Sequence, residues 1–439
     1  MFITFLKNQD SFILQSLFQV IVQNSLDHTT RKSTNVRLTS LKNDLLKTMG
    51  NTLSPRDREL LSKFPIDIRS TRTLLGAPKT VTYACCPACN SIYAPKDEDG
   101  VPIYPYTCTS KPCQGSECDL LELGSTTDGR SVGVPRRPYE MQDFDDFAAR
   151  LLSRPGIESI IQQSSTRRHG DFVEDIMSAD GVWKIKGPDD APFLSGGQNN
   201  ELRLLWALSV DFFNPYHNKI AGKKYSVGCI FLSCIQLPPD MRKKTENLCL
   251  VGLIPGPREP SMEEIDHFLR PLVEVMKDSW KHGAIYSTHD FPHGRLVRSA
   301  LALSVNDLPM ARKIMGTANY IDRTAKDKDF ESLEVRPLET LRQDAKRWQE
   351  AKSPKERKKL YNRTGVRHSV LMELEYWDPT TMVPVDCMHL LFLGLSHYHA
   401  RTVLGMDSAG GRKPSKGKGT GSNRADKQRE EVPIEWLEV

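Results

Sequence analysis

Residues 201–211 read ELRLLWALSVD, and two further apolar runs follow at 225–237 (YSVGCIFLSCIQL) and 247–256 (NLCLVGLIPG). A segment with helical spacing of its apolar residues comes next, at 261–280, and the run GRLVRSALALSVND then ends at residue 307. Short apolar runs bounded by Gly, Pro, Asn and Asp are typical of strands. This order predicts three sheet strands, a crossover helix and a fourth strand.

Two of the predicted strands end in an aspartate: Asp211 follows the first and Asp307 the fourth. Strand ends hold side chains rigidly, and two carboxylates placed side by side there can share divalent metal ions. The pattern therefore predicts a ribonuclease-H-like core that cuts nucleic acid. The alternative is structural, with Asp211 opening a turn before Asn214 and Pro215 and with Asp307 capping the next helix.

The composition limits the class of protein. The chain has 439 residues, of which 38% are hydrophobic and 26% charged, as expected for a soluble globular protein of two or three modules. Polar residues at 7–10 interrupt the apolar N-terminus, so we expect a helix there and neither a signal peptide nor a membrane span. The net charge of +5 permits contact with a phosphate backbone without requiring it.

Six of the ten cysteines fall within residues 85–118. Clustered cysteines in a chain without a secretion signal are more typical of metal ligands than of disulfides. Cys86 and Cys89 form a Cys-x-x-Cys knuckle, and Cys108 with either Cys113 or Cys118 would complete a tetrahedral zinc site. Such a closed site favours a role in folding or DNA contact over catalysis. The alternative is a loop of reduced cysteines without metal.

Further candidate residues lie on either side of the fourth strand. Asp386 precedes an apolar helix, and His389 lies one turn further on, close enough to share a metal ion or a phosphate. The alternative, which the pattern favours equally, is that Asp386 is a helix N-cap and His389 a surface residue. Three lysines after the first strand are candidates for contact with a DNA backbone, with hairpin-loop charges as the alternative; they are Lys219, Lys223 and Lys224.

Composition also predicts the domain organisation, in which a cysteine module and helices precede the core. We expect an N-terminal helical region (1–80), a cysteine-rich zinc-binding module (81–125), a linker (126–137), a helical block (138–200), the ribonuclease-H-like core (201–406) with a charged helical insertion (about 317–360), and a disordered basic tail (407–439). The predicted fold class is α/β (α+β), with a mixed sheet at the centre.

Four strings in the chain together resemble the transposases of CACTA (En/Spm) elements, in the form abundant in mushroom-forming fungi. They are LSVDFFNPYHNKIAGKKYSVGCIFLSCIQLPP, ENLCLVGLIPGPREPSMEEIDHFLRPLV, GRLVRSALALSVNDLPMARKIMG and VDCMHLLFLGL. The resemblance extends from about residue 81 to 406, and it includes the strings CCPACN and LLSRPGIE.

This resemblance implies a DDE/D-type recombinase that cleaves and transfers DNA strands in the nucleus, with transposon ends and target DNA as its partners. It implies that Asp211 and Asp307 are the first two metal-binding carboxylates and hold two magnesium or manganese ions. Asp386 is then the best candidate for a third acidic residue. A homo-oligomer is compatible with the resemblance, and no membrane partner is expected.

Two features depart from the family pattern. The stretch GTANYIDRTAKDKDF lacks the cysteines that the family usually has there, and family members are usually much longer. We therefore expect a truncated or degenerate copy. The alternative to a working nuclease is a catalytically inactive, zinc-containing DNA-binding remnant of a transposase.

Overall fold

The computed structural model describes the chain in segments. These are residues 17, 19–20, 31–49, 64–68, 70–71, 76–98, 101–113, 118–125, 131–166, 175–195, 201–216, 225–317, 336–384 and 386–404. The chain separates into two compact units, Met1–Val385 and Asp386–Val439. Within these segments, no helix is both long enough and apolar enough to cross a membrane.

The strands of the first unit form one large sheet and two small hairpins. In chain order they are β1 (Thr80–Cys85), β2 (Ile92–Tyr93), β3 (Lys96–Glu98), β4 (Val101–Ile103), β5 (Leu121–Ser125), β6 (Ser131–Pro135), β7 (Pro138–Gln142), β8 (Leu202–Phe213), β9 (Val227–Cys234), β10 (Leu248–Ile254), β11 (Ala284–Tyr286) and β12 (Arg295–Ser304). The large sheet has the order β11-β12-β8-β9-β10-β7-β1-β2. Neighbouring strands in this sheet are antiparallel, except that β12 runs parallel to β8.

The helices lie before, within and after the sheet strands. They are α1 (Arg31–Met49), α2 (Phe144–Leu152), α3 (Ile157–Ser164), α4 (Asp180–Trp183), α5 (Pro239–Arg242), α6 (Ile265–Lys281), α7 (Leu308–Met315), α8 (Leu338–Glu350) and α9 (Pro354–Thr364). Short 3₁₀ turns cover Lys111–Cys113, Ile176–Ser178, Thr245–Asn247 and Val370–Glu373. In the second unit, Met388–Ser396 and His399–Val403 form π-helical segments.

The core forms around β8, because its residues from 202 to 208 are all buried. A strand buried on both faces needs apolar groups from both sides. Helix α2 supplies Phe144 and Phe147, whose rings lie edge-on to Trp206 with centroids 5.4 and 6.1 Å away. Helix α6 buries a second apolar face that includes Phe268 and Leu272. The helices therefore hold β8 as the central element of one shared core.

The predicted order of three strands, a helix and a fourth strand is confirmed by β8, β9, β10, α6 and β12. Directly before α6, Ser261 N donates to Glu264 Oε2 (2.7 Å) and Glu264 N donates to Ser261 Oγ (3.3 Å), the reciprocal pattern of a capping box. The strand β11, between the helix and β12, was not predicted. It has three residues, too few for a period-two pattern to be recognised.

Two parts of the predicted organisation are corrected by the structure. The block from residue 138, predicted to be helical, begins with β7, which buries Tyr139 and Met141 in strand alternation and joins β10 to β1. The predicted linker at 126–137 contains β6, which pairs with β5. Both strands are short and partly polar. β6 pairs with the strand before it and β7 with the distant β1 and β10, and these pairings stabilise them more than their own sequence pattern does.

The charged insertion predicted at about 317–360 is helical where the structure describes it, with α8 and α9 packed together. Helix α8 buries Leu341, Ala345 and Trp348 despite its high charge. Residues 318–335 and the tail predicted at 407–439 lie outside the described residues. The N-terminal region contains α1 among its described residues.

Candidate metal centres

The two candidate catalytic aspartates lie near the ends of adjacent parallel strands, Asp211 within β8 and Asp307 after β12. Leu208 of β8 pairs with Ser304 of β12, and Val305 N donates to Leu208 O at 2.8 Å. Asp211 lies three residues after Leu208, and Asp307 lies three residues after Ser304. Both aspartates therefore lie beyond the same end of the paired region of β8 and β12, Asp211 still within β8 and Asp307 past the end of β12.

A buried asparagine, Asn306, joins the two strand ends. Its Oδ1 accepts a hydrogen bond from Val210 N at 2.6 Å, and its Nδ2 donates to Ser304 Oγ at 2.7 Å. Val210 comes directly before Asp211 in the chain, and Asn306 itself comes directly before Asp307. Asn306 was not singled out from the sequence, because a buried amide that spans two strands leaves no local signal.

Asp211 is an exposed residue within β8, which extends two residues further, to Phe213. Its Oδ1 accepts from Phe212 N at 2.8 Å, and its pairing partner on β9 is Cys229. β8 continues to Phe213, which pairs with Val227 of β9. The alternative in which Asp211 opens a turn is therefore wrong, because the strand ends after Asp211. An exposed carboxylate at this edge is accessible to a metal ion and to a substrate in solvent.

Asp307 is the N-cap of α7. Its Oδ1 accepts from Met310 N at 2.8 Å, which is the structural role considered for it from the sequence. A carboxylate carries two oxygens with several lone pairs, so this bond leaves capacity for a further ligand. Pro309 fits in the first turn of this helix, because an N–H there has no intrahelical partner.

Asp386 begins the second unit and bonds within it. Its Oδ1 accepts from Met388 N at 2.9 Å, and its Oδ2 lies 2.6 Å from His389 Nδ1. Partial burial acts to raise the pKa of Asp386, but the hydrogen bonds with His389 and with backbone N–H groups outweigh it and hold that pKa below its usual value. The three candidate DNA-contacting lysines, Lys219, Lys223 and Lys224, lie outside the described residues.

Four of the five candidate zinc-binding cysteines come together in the structure. They are Cys86, Cys89, Cys108 and Cys113, and their sulfur atoms all lie within 4.8 Å of one another. The Sγ atoms of Cys86 and Cys113 are 3.7 Å apart, as are those of Cys89 and Cys108. In a tetrahedral zinc site with Zn–S bonds of about 2.3 Å, neighbouring sulfurs lie about 3.8 Å apart. The spacing therefore fits a four-thiolate zinc site.

Tight turns position these sulfurs. Cys86 N donates to Ser91 O at 2.8 Å, and Asn90 N donates to Cys86 O at 3.0 Å, with Asn90 in the left-handed region at φ 58°. The turn Lys111–Cys113 presents the fourth sulfur. Cys118 instead uses its carbonyl, which accepts from the N–H of Cys108 at 3.0 Å. Of the two alternatives that the sequence left open, Cys113 is the one whose sulfur lies in this cluster.

The thiols differ in their pKa values because their surroundings differ. Burial raises the pKa of Cys86 to about 11 and raises that of Cys113. At Cys89, burial also acts to raise the pKa, but hydrogen bonds with Ser91 and the neighbouring thiols outweigh it and lower the value to about 7. Cys85 is buried in the main hydrophobic core, whereas the four clustered cysteines belong to a separate group of buried and partly buried residues.

Two arginines fasten the cysteine knuckle to the segment between β10 and α6. Arg137, 9% exposed, donates from Nε to Gly256 O (2.8 Å) and from Nη1 to Cys86 O (3.4 Å). It also donates to Asn90 Oδ1 and Pro255 O. Arg258 donates to Ala88 O at 3.0 Å. The sequence interpretation missed both, because their partners are distant along the chain.

Comparison with known proteins supports a transposase family. Residues 189–359 match the family model described as Transposase family tnp2. The matched range contains the strands β8 and β12, both candidate aspartates and the helices α6, α7 and α8. No curated protein matches the chain.

Proposed function

We propose that this chain is a transposase-derived protein of the CACTA type, whose ribonuclease-H-like core cleaves and transfers DNA strands. The observation that carries the proposal is that Asp211 and Asp307 each come three residues after a paired position, Leu208 and Ser304, of the parallel strands β8 and β12. The order β10-β9-β8-β12, with only β12 parallel to β8, supports the ribonuclease-H-like assignment. The transposase match over 189–359 supports DNA as the substrate.

The donor set at the sheet edge suits magnesium or manganese. Both candidates are carboxylates, and hard divalent cations prefer oxygen ligands. When bound there, the ions would lower the pKa of an attacking water and stabilise charge on the phosphodiester. Asp211 would bind from its exposed position on β8, and Asp307 would bind through the capacity that its helix cap leaves.

The remaining residues have positioning roles in this proposal. Asn306 would keep the two strand ends in register, because it bonds the N–H of Val210 directly before Asp211. Asp386 would be the third acidic residue, with His389 orienting its carboxylate. The four clustered cysteines would hold zinc and stabilise the knuckle that the core contacts through Arg137. Action on chromosomal DNA implies a nuclear location.

The second candidate function is a catalytically inactive DNA-binding remnant that retains the zinc module. One observation favours it. Asp307 caps α7 by accepting a hydrogen bond from Met310 N, and this structural role accounts for an aspartate at that position without any metal. This protein would bind DNA without cleaving it.

Cleavage of labelled DNA in the presence of magnesium or manganese tests the proposal. We expect the wild-type protein to nick the DNA and Asp211→Asn to lose that activity, while Asp240→Asn, at an exposed position on α5, keeps it. Metal-dependent nicking that survives in Asp211→Asn would argue against the assigned site. DNA binding without nicking in the wild type would favour the inactive remnant.

A further inference from the structure

One face of α9 carries a row of cations. Residues 352–363 include six Lys or Arg and a single Glu. Five of these cations are exposed, and the four that lie within α9 form what we call the basic stripe: Lys355, Lys358, Lys359 and Arg363. Their spacing of three, four and eight residues from the first places them on one side of a helix.

The opposite side of α9 is fixed to the rest of the first unit. Arg357 stacks over the ring of Trp348 at 5.0 Å, and Tyr361 OH lies 3.9 Å from Met262 Sδ. Arg357 also lies 3.8 Å from Glu263. The orientation of the helix is therefore set by packing, and the basic stripe faces solvent for that reason.

The charges of the basic stripe are not neutralised by acidic neighbours. Within the part of the chain that the structure describes, none of its four residues forms an ion pair. Glu356, the one acidic residue of α9, is used in the cap, where its carboxylate accepts from Lys352 N at 3.0 Å. A row of like charges without counterions attracts a polyanion, and releases the small ions around it on binding.

The basic stripe is joined to the candidate catalytic edge through α7. Arg367 N, just after α9, donates to Gly316 O at 2.8 Å, and Thr317 forms a β-bridge with Val366. Helix α7, about 12 Å long, starts at the cap residue Asp307 and ends at Gly316. The stripe and Asp307 thus belong to one connected set of elements within the first unit.

We propose that the basic stripe binds the phosphate backbone of duplex DNA. From Lys355 to Arg363 the helix rises about 12 Å, which corresponds to about three or four nucleotides along one strand. Lysine-rich contacts of this kind position a duplex without reading its sequence. The choice of DNA as the polyanion rests on the proposed function; the charge and geometry of the stripe do not.

The test is the salt dependence of DNA binding by the full chain, measured without magnesium on two short duplexes of unrelated sequence. The variant Lys355→Gln/Lys358→Gln/Lys359→Gln should lower the slope of log affinity against log salt by about 2–3 for both duplexes. The control Lys243→Gln/Lys244→Gln/Lys281→Gln removes three exposed lysines elsewhere and should keep the slope.

A second variant guards against a folding defect. Lys355→Arg/Lys358→Arg/Lys359→Arg keeps the charge, so its slope should equal that of the wild type. An unchanged slope in the glutamine variant, or an equal loss in the control, would overturn the proposal. If the glutamine variant lost binding to an acidic polypeptide but not to DNA, the proposal would be overturned too, and the result would indicate a protein partner. Because the assay needs no cleavage, a chain that binds DNA through the stripe without nicking it would contradict only the proposed function.

Discussion

Asn306 accepts a hydrogen bond from the N–H of Val210 at 2.6 Å, and so connects the strand that leads to Asp211 with the strand that leads to Asp307. Asn306 is 6% exposed, and its amide nitrogen donates to Ser304 Oγ on its own strand. Buried amides that satisfy both their donor and their acceptor fix the geometry of the groups around them. This contact therefore helps to fix the positions of the two aspartates relative to each other.

Replacing Asn306 should therefore destabilise the sheet edge. Asn306→Ala leaves the buried N–H of Val210 without its acceptor, and we expect a loss of about 1–3 kcal/mol in the free energy of unfolding, measured by urea denaturation. Asn362→Ala, on the exposed side of α9, should change stability by less than about 0.5 kcal/mol. Equal stability of the wild type and Asn306→Ala would contradict the bridging role.

The cysteine cluster predicts a difference between two neighbouring thiols. Cys113→Ser should abolish tight zinc binding because it removes one of the four clustered sulfurs, whereas Cys118→Ser should keep it. Metal content of the purified variants, measured by mass spectrometry, distinguishes them. Loss of zinc in Cys118→Ser with retention in Cys113→Ser would show that the ligand set is different.

Arg137 and Arg136 form a matched pair for testing how the knuckle is anchored. Arg137→Ala removes a buried side chain that donates to Gly256 O and Cys86 O, and we expect it to cost at least about 3 kcal/mol of unfolding free energy. Arg136 is half exposed, and its ion pair with Asp119 at 3.7 Å should contribute less than about 1 kcal/mol. Thermal unfolding of Arg137→Ala and Arg136→Ala at equal zinc loading compares them. Similar losses in both would remove the distinction.

Asp266 should make stability depend on pH. Burial raises its pKa to about 6, against the opposing charge of Arg367, whose Nη1 lies 3.5 Å from Asp266 Oδ2. Because the folded-state pKa is above the unfolded one, protonation stabilises the fold, and this stabilisation is lost as the pH rises from about 4 to about 6. Relative to Asp266→Asn, the wild type should gain on the order of 2 kcal/mol as the pH falls from 7 to 4. Urea denaturation at both pH values measures this difference, and no gain, or a gain in the opposite direction, would refute the assignment.

The parts of the fold that follow from continuous apolar runs could be predicted from the sequence. The strands β8 and β12 are buried along almost their whole length, so their residues carry the pattern themselves. By contrast, β7 and β11 are short and become strands through their pairing, β7 with the distant β10 and β11 with the following strand β12. Local patterns cannot identify elements of that kind.

The candidate sites divide in the same way. The knuckle of Cys86 and Cys89 was identifiable because both ligands lie in one turn. The choice between Cys113 and Cys118 depended on a 3₁₀ turn that spacing does not reveal. Asn306 and Arg137 act through contacts made only in the folded chain, so no spacing rule would have selected them.

The most direct test of the central claim compares Asp211→Asn, Asp307→Asn and the double variant for magnesium-dependent nicking of DNA. If the two carboxylates hold the same metal ions, each single variant should lose about 100-fold or more in rate, and the double variant should lose little beyond that. Independent losses that multiply in the double variant, or a single variant with wild-type activity, would contradict a shared metal site at Asp211 and Asp307.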